Sequence, residues 1–190
     1  MNSISSKFPR ALLDTTVLCG ALRTNGLNRQ LLLWARSSEY YQPIISKVCL
    51  FEMYNVALTR GLQKVTYTAE DLDSYMDDVI YPVLEQNQAV NSTLGRFSYL
   101  VRLYANRPIG EVLVELTGST STEVEQIIKT EGMEEPLHKY DPEDAHIWVT
   151  AIQERCDYIV TSNTHRFPER IGNIKRIHPR DFLYHVLKVE

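Results

Sequence analysis

Short apolar runs alternate with amphipathic stretches along most of this chain. Ala11-Leu12-Leu13 is apolar and ends at Asp14, the pattern of a buried strand. Leu27 to Ser38 places Leu27, Leu31 and Trp34 on one side of a helix. Pro43-Ile44-Ile45-Ser46 predicts a second strand, and Ser46 then caps a helix that runs to about Arg60 and stops at Gly61. Val48, Phe51, Asn55 and Leu58 are the expected inward stripe of that helix. Thr68, with Asp71 three residues later, marks another helix start. Leu72, Tyr75, Met76, Val79, Ile80 and Val83 follow it at helical spacing.

From Asn91 to Gly132 the pattern is helical and less informative. Pro108 suits a first helical position, Thr122 and Glu125 have capping-box spacing, and Gly132 would end the segment. Asp141 and Pro142 open the next helix, which carries Ile147, Trp148, Ala151 and Ile152. Tyr158 to Thr161 and Ile174 to Ile177 are strand-like. Pro179 begins a last helix with Phe182, Leu183, Val186 and Leu187. Short apolar strands alternating with helices predict an α/β sandwich around a parallel sheet. Residues 1–9 form a loose N-terminal tail, and 10–190 form a single domain.

Composition narrows the class without choosing a function. A length of 190 residues suffices for one core, and 44% hydrophobic residues argue for a globular chain. No apolar run approaches the ~18 residues of a membrane span, and the N-terminus lacks the apolar stretch of a signal peptide. Cys19, Cys49 and Cys156 have no paired spacing and are expected to be buried thiols in a reducing cytoplasm. The net charge of −4 disfavours a broad non-specific nucleic-acid surface. It leaves room for a local basic rim, for which Arg96, Arg102 and Arg107 are candidates.

Sites in open parallel α/β folds form at the carboxyl ends of the strands. Asp14 falls at the end of the first strand, and Asn163 lies just past the end of a later one. Asp157 starts that later strand, roughly 13 Å or more from the loop at Ser162 at ~3.3 Å per residue, so it is set aside. Glu52 lies at the edge of its helix's inward face and needs a partner for a partly desolvated carboxylate. A divalent cation is one candidate; a neighbouring lysine or arginine is the other and, for an isolated glutamate, the commoner. Asp141 suits an N-cap and Glu143 a solvated position, while Asp144 precedes the inward pair Ile147 and Trp148 by one turn.

Three carboxylates and an amide could hold one or two Mg²⁺ or Mn²⁺ ions, which take oxygen ligands and retain waters. His146 is two residues beyond Asp144, roughly 200° around a helix, and is expected to pack or hydrogen-bond. His138, His165, His178 and His185 show no ligand spacing. The chain has neither a glycine-rich phosphate loop nor a G-x-S-x-G elbow.

With LLDTTVL around Asp14, IISKVCLFEMYNVA around Glu52, DPEDAHIWVTAI around Asp144 and CDYIVTSNTHRFP around Asn163, the chain resembles PIN-domain proteins. Its closing IHPRDFLYHVL resembles the last strand and helix of the toxin-like VapC-type subgroup. The resemblance implies a three-layer α/β/α sandwich with a central parallel sheet. It also implies a Mg²⁺- or Mn²⁺-dependent endoribonuclease in which water attacks a phosphodiester of RNA. By position it makes Asp14, Glu52 and Asp144 metal-ligating acids, with Thr15 or Thr16 in support. Asn163 stands at a fourth acidic position, where an amide supplies a carbonyl oxygen and no charge. Arg166 stands where a further acid often appears and could contact a phosphate. The expected partners are RNA, a cognate antitoxin and a second copy of the chain, with no membrane. The alternative is a non-catalytic PIN-like module that binds RNA or protein through a degraded metal site.

Overall fold

The computed structural model describes residues 8–37, 39–87, 90–91, 114, 120–122, 125, 144–164, 169–171 and 173–189. Expectations for Pro108, Gly132, Asp141, Pro142, Glu143, Arg166, His138, His165 and the Arg96, Arg102, Arg107 group lie outside these residues.

Six strands are described: β1 (Arg10–Leu13), β2 (Gln42–Ser46), β3 (Val90–Asn91), β4 (Tyr158–Val160), β5 (Arg170–Ile171) and β6 (Ile174–Ile177). They form one sheet in the order β3-β2-β1-β4-β6-β5. Pairing is parallel from β3 through β6, and β5 adds an antiparallel edge. The two helices after β1 are α1 (Thr15–Arg23) and α2 (Leu27–Ala35). After β2 come α3 (Lys47–Thr59), α4 (Ala69–Tyr75), a π-helical turn (Met76–Ile80) and α5 (Tyr81–Asn87). α6 (Ala145–Gln153) precedes β4, and α7 (Pro179–Asp181) runs into a second π-helical turn (Phe182–Val186).

This strand order decides where a site can form. The chain steps from β1 to β2 to β3 in one direction, and right-handed crossovers put the intervening helices on one face. It then returns past β1 to β4, which reverses the step and puts α6 on the other face, against β1 and β4. The fold is a three-layer α/β/α sandwich with a central parallel sheet. Its topological switch point lies between β1 and β4, at their carboxyl ends.

Leu12, Leu13, Ile44, Ile45, Ile159 and Val160 are buried because both sheet faces are covered, which explains their near-continuous apolar runs. Tyr41 packs edge-on against Phe182 and donates its hydroxyl to the Leu31 carbonyl at 2.8 Å. The strand starts are fixed by Arg10. Its backbone N–H donates to Asp157 Oδ2 at 2.8 Å and its guanidinium pairs with Glu154 at 3.2 Å. Asp157 thus lies at the sheet edge opposite Asp14.

Two expectations change. The stretch after Asp14 is α1, a helix not predicted from the pattern, with Val17, Leu18 and Ala21 buried at helical spacing. The inward face of α3 is Val48, Cys49, Met53 and Ala57, whereas Phe51 and Leu58 are 61% and 44% exposed and Asn55 is also exposed. α3 packs against α1, and of the expected stripe only Val48 faces inward.

Ser46 caps α3 as expected, accepting from the Cys49 N–H at 3.0 Å, and Thr68 and Asp71 form a reciprocal capping box. Gly61 follows α3 with φ +66°, and a β-carbon there would meet the Val65 carbonyl. Gly61→Ala is therefore expected to lower stability by about 1–2 kcal/mol or more. Urea denaturation with an unchanged slope checks this; an unaltered midpoint would contradict the constraint.

Candidate active site

Asp14 continues the β1–β4 pairing through its N–H, which donates to the Val160 carbonyl at 3.1 Å. Its side chain is 5% exposed and turns back over the switch point. Asp14 Oδ2 accepts from Thr16 Oγ1 at 2.7 Å and from Thr161 Oγ1 at 2.6 Å. Each hydroxyl also accepts a backbone N–H: Ser162 donates to Thr16 at 3.0 Å, and Asn163 to Thr161 at 2.9 Å. Both hydroxyls thus donate to the carboxylate while accepting from the backbone, and they lie 3.4 Å from each other. Arg176 anchors the following loop by donating to the Thr164 carbonyl at 2.5 Å.

The second acid arrives from α3. Glu52 Oε2 accepts from Thr15 Oγ1 at 2.6 Å, and Oε1 lies 3.1 Å from His146 Nε2. The partner of Glu52 is thus a histidine and a threonine, not the lysine or arginine that an isolated glutamate usually finds. Burial works against the Glu52 carboxylate, but His146 and the Thr15 hydroxyl hold it below its ordinary range. Burial likewise disfavours the His146 imidazolium. The adjacent Cys49 sulfur and the Glu52 carboxylate outweigh that and push it up to about 10.

The third acid, Asp144, stands at the N-cap of α6 and is half-buried. Its Oδ2 accepts from Asn163 Nδ2 at 3.1 Å. Asp14, Thr15, Thr16, Glu52, Asp144 and Asn163 are therefore brought to one end of the sheet, joined through neighbouring hydrogen bonds. Arg166 lies outside the described residues.

Two contributors were missed in the sequence. Thr161 was read only as strand, yet its place follows from register. Leu13 pairs with Val160, so the next residues, Asp14 and Thr161, face each other across the switch point. His146 was expected to pack or hydrogen-bond, and it is buried, but it also reaches Glu52. Counting 200° from Asp144 separated the two residues as if both were helical. Asp144 is instead the cap, in a tighter 3₁₀ turn with φ −82° and ψ 0°, so the 100° step of an α-helix does not relate them.

The donor set suits a hard divalent cation in kind, being carboxylates, hydroxyls and an amide. Among the described residues, no three His, Cys, Asp or Glu side chains already surround one point. The nearby Cys19 thiol is pushed up to about 11 by burial and by the carboxylates of Asp14 and Glu52, so it offers no thiolate ligand near neutral pH.

A parallel α/β/α fold with acids at the switch point defines a class, and a family model described as PIN domain matches residues 10–165. The chain belongs to the PIN-domain family, whose members are typically metal-dependent nucleases. The crystal structure of FitAcB from Neisseria gonorrhoeae is similar at 18% identity, covering 90% of this chain and 98% of that one, with a TM-score of 0.46. No curated protein matches the chain. Among the described residues, no helix is long and apolar enough to cross a membrane.

The Thr161 hydroxyl serves both Asp14 and the Asn163 N–H. Thr161→Val should therefore lower stability by about 1–3 kcal/mol, the usual cost of stranding buried polar partners. A loss below ~0.5 kcal/mol on chemical denaturation, the size of an ordinary surface substitution, would contradict this placement.

Proposed function

We propose that this chain is a Mg²⁺- or Mn²⁺-dependent endoribonuclease that hydrolyses RNA phosphodiester bonds. In this reading it is a VapC-type toxin component of a toxin–antitoxin pair, acting in the cytoplasm. One observation carries the catalytic part: Asp14, Glu52 and Asp144 come from three elements to the switch point of the sheet, each held by a neutral donor or a histidine. Held acids of one sign repel a phosphodiester unless a cation stands between them. A bound cation supplies that neutralisation and lowers the pKa of an attacking water.

The chain's own residues then have separable roles. Thr16 and Thr161 fix one oxygen of Asp14, and Thr15 fixes one oxygen of Glu52. Asn163 donates to Asp144 through one end of its amide, and the other end carries a carbonyl oxygen that can serve a cation without adding charge. With three carboxylates rather than four or five, a single ion is the favoured resting occupancy. Arg166 is assigned to a phosphate contact. An antitoxin and a second copy of the chain are the proposed protein partners.

A second reading is a non-catalytic module that binds RNA or protein. The observation favouring it is the Asn163 amide, which gives Asp144 a partner without any cation. Incubating varied RNAs with the purified protein separates the two. The enzyme reading expects cleavage with Mn²⁺ or Mg²⁺, abolition by EDTA, and at least about a 100-fold loss in Asp14→Asn. Intact RNA in every case, with binding that survives EDTA and the Asp14 substitution, would establish the second reading instead.

A further inference from the structure

We propose that His146 is a positioning residue that fixes the Glu52 carboxylate for cation binding, an assignment that rests on the metal-dependent reading above. Glu52 has the longest side chain of the three acids. It extends from the second turn of α3, its side chain is 36% exposed, and a glutamate has three rotatable bonds to order. Two groups hold it from opposite layers of the sandwich. Thr15, at the start of α1, donates to Oε2, and His146, on α6, stands 3.1 Å from Oε1.

The surroundings of His146 show that packing alone does not account for it. The imidazole is 1% exposed and sits beside the fully buried Ile147 and Trp148. Its Nδ1 has no hydrogen-bond partner among the described residues, and Nε2 approaches Glu52 without hydrogen-bond alignment. A buried polar ring needs polar neighbours, and those beside this one are the Cys49 sulfur and the Glu52 carboxylate. The group that its Nε2 faces, at 3.1 Å, is the acid that a cation would need held. A buried polar side chain that faces and orients a candidate ligand is what a supporting ligand shell requires.

The test measures Mn²⁺ affinity of the full chain by electron paramagnetic resonance titration, with thermal unfolding in the absence of metal as the folding control. His146→Leu removes the ring nitrogens, and His146→Gln keeps an N–H at similar reach. If the Leu variant does not fold, His146→Asn replaces it, because its amide stops short of Glu52. The Leu or Asn variant is expected to bind Mn²⁺ at least about tenfold more weakly, and the Gln variant within about threefold of wild type. In a Glu52→Gln background the His146 substitution should have no further effect on affinity. Wild-type affinity in the Leu or Asn variant overturns the assignment, as does a loss of equal size in the Glu52→Gln background. If the wild type itself binds no Mn²⁺, the metal-dependent reading falls first and takes this assignment with it.

Discussion

A carboxylate buried at the joint between β1 and β4 sets the terms for the rest of this structure. Asp14 makes no ion pair among the described residues, so its desolvation must be offset by hydrogen bonds. Two threonine hydroxyls supply them, one from the first turn of α1 and one from the end of β4. Both hydroxyls are in turn oriented by backbone N–H groups of the loop after β4. The arrangement exists only if β1 and β4 are neighbours in the observed register. A slip by one residue would carry Thr161 to the other face of the sheet.

The reversal of chain direction at that joint brings the other acids in. α3 lies in one helical layer and α6 in the other, and the two layers diverge at the switch point. Glu52 and Asp144 therefore approach Asp14 from opposite sides of the sheet. His146 and Thr15 tie the layers together at Glu52, and Asn163 ties the β4 loop to Asp144. The site is a seam between layers, and its geometry depends on the packing of α1 against α3 and of α6 against the sheet.

Much of this was legible in the residues. The runs at Leu12, Ile44 and Ile159 announced buried parallel strands, Ser46 and Thr68 announced helix starts, and the strand ends located Asp14 and Asn163. The failures came where local pattern and tertiary fit part company. Phe51 and Leu58 share a helical stripe with Val48, yet the packing of α3 against α1 buries Cys49, Met53 and Ala57 beside Val48 instead. α1 carries no capping signal of its own, because the Asp14 side chain at its N-cap makes no cap hydrogen bond and turns to Thr16 and Thr161 instead. The antiparallel edge at β5 and the π-helical turns at Met76 and Phe182 have no single-residue signal. Thr161 and His146 could be placed only once strand register and the true start of α6 were known.

Binding of a divalent cation at the seam between β1 and β4, through Asp14, Glu52 and Asp144, is the step on which the proposed function turns. A crystal structure of the protein soaked in Mn²⁺, with anomalous data collected at the manganese edge, tests it most directly. If the cation binds, an anomalous peak is expected at the carboxyl end of β1, coordinated by Asp14 and by at least one of Glu52 and Asp144, with waters completing the shell. A featureless site at saturating Mn²⁺, with all three carboxylates still held only by their threonine, histidine and asparagine partners, would contradict it.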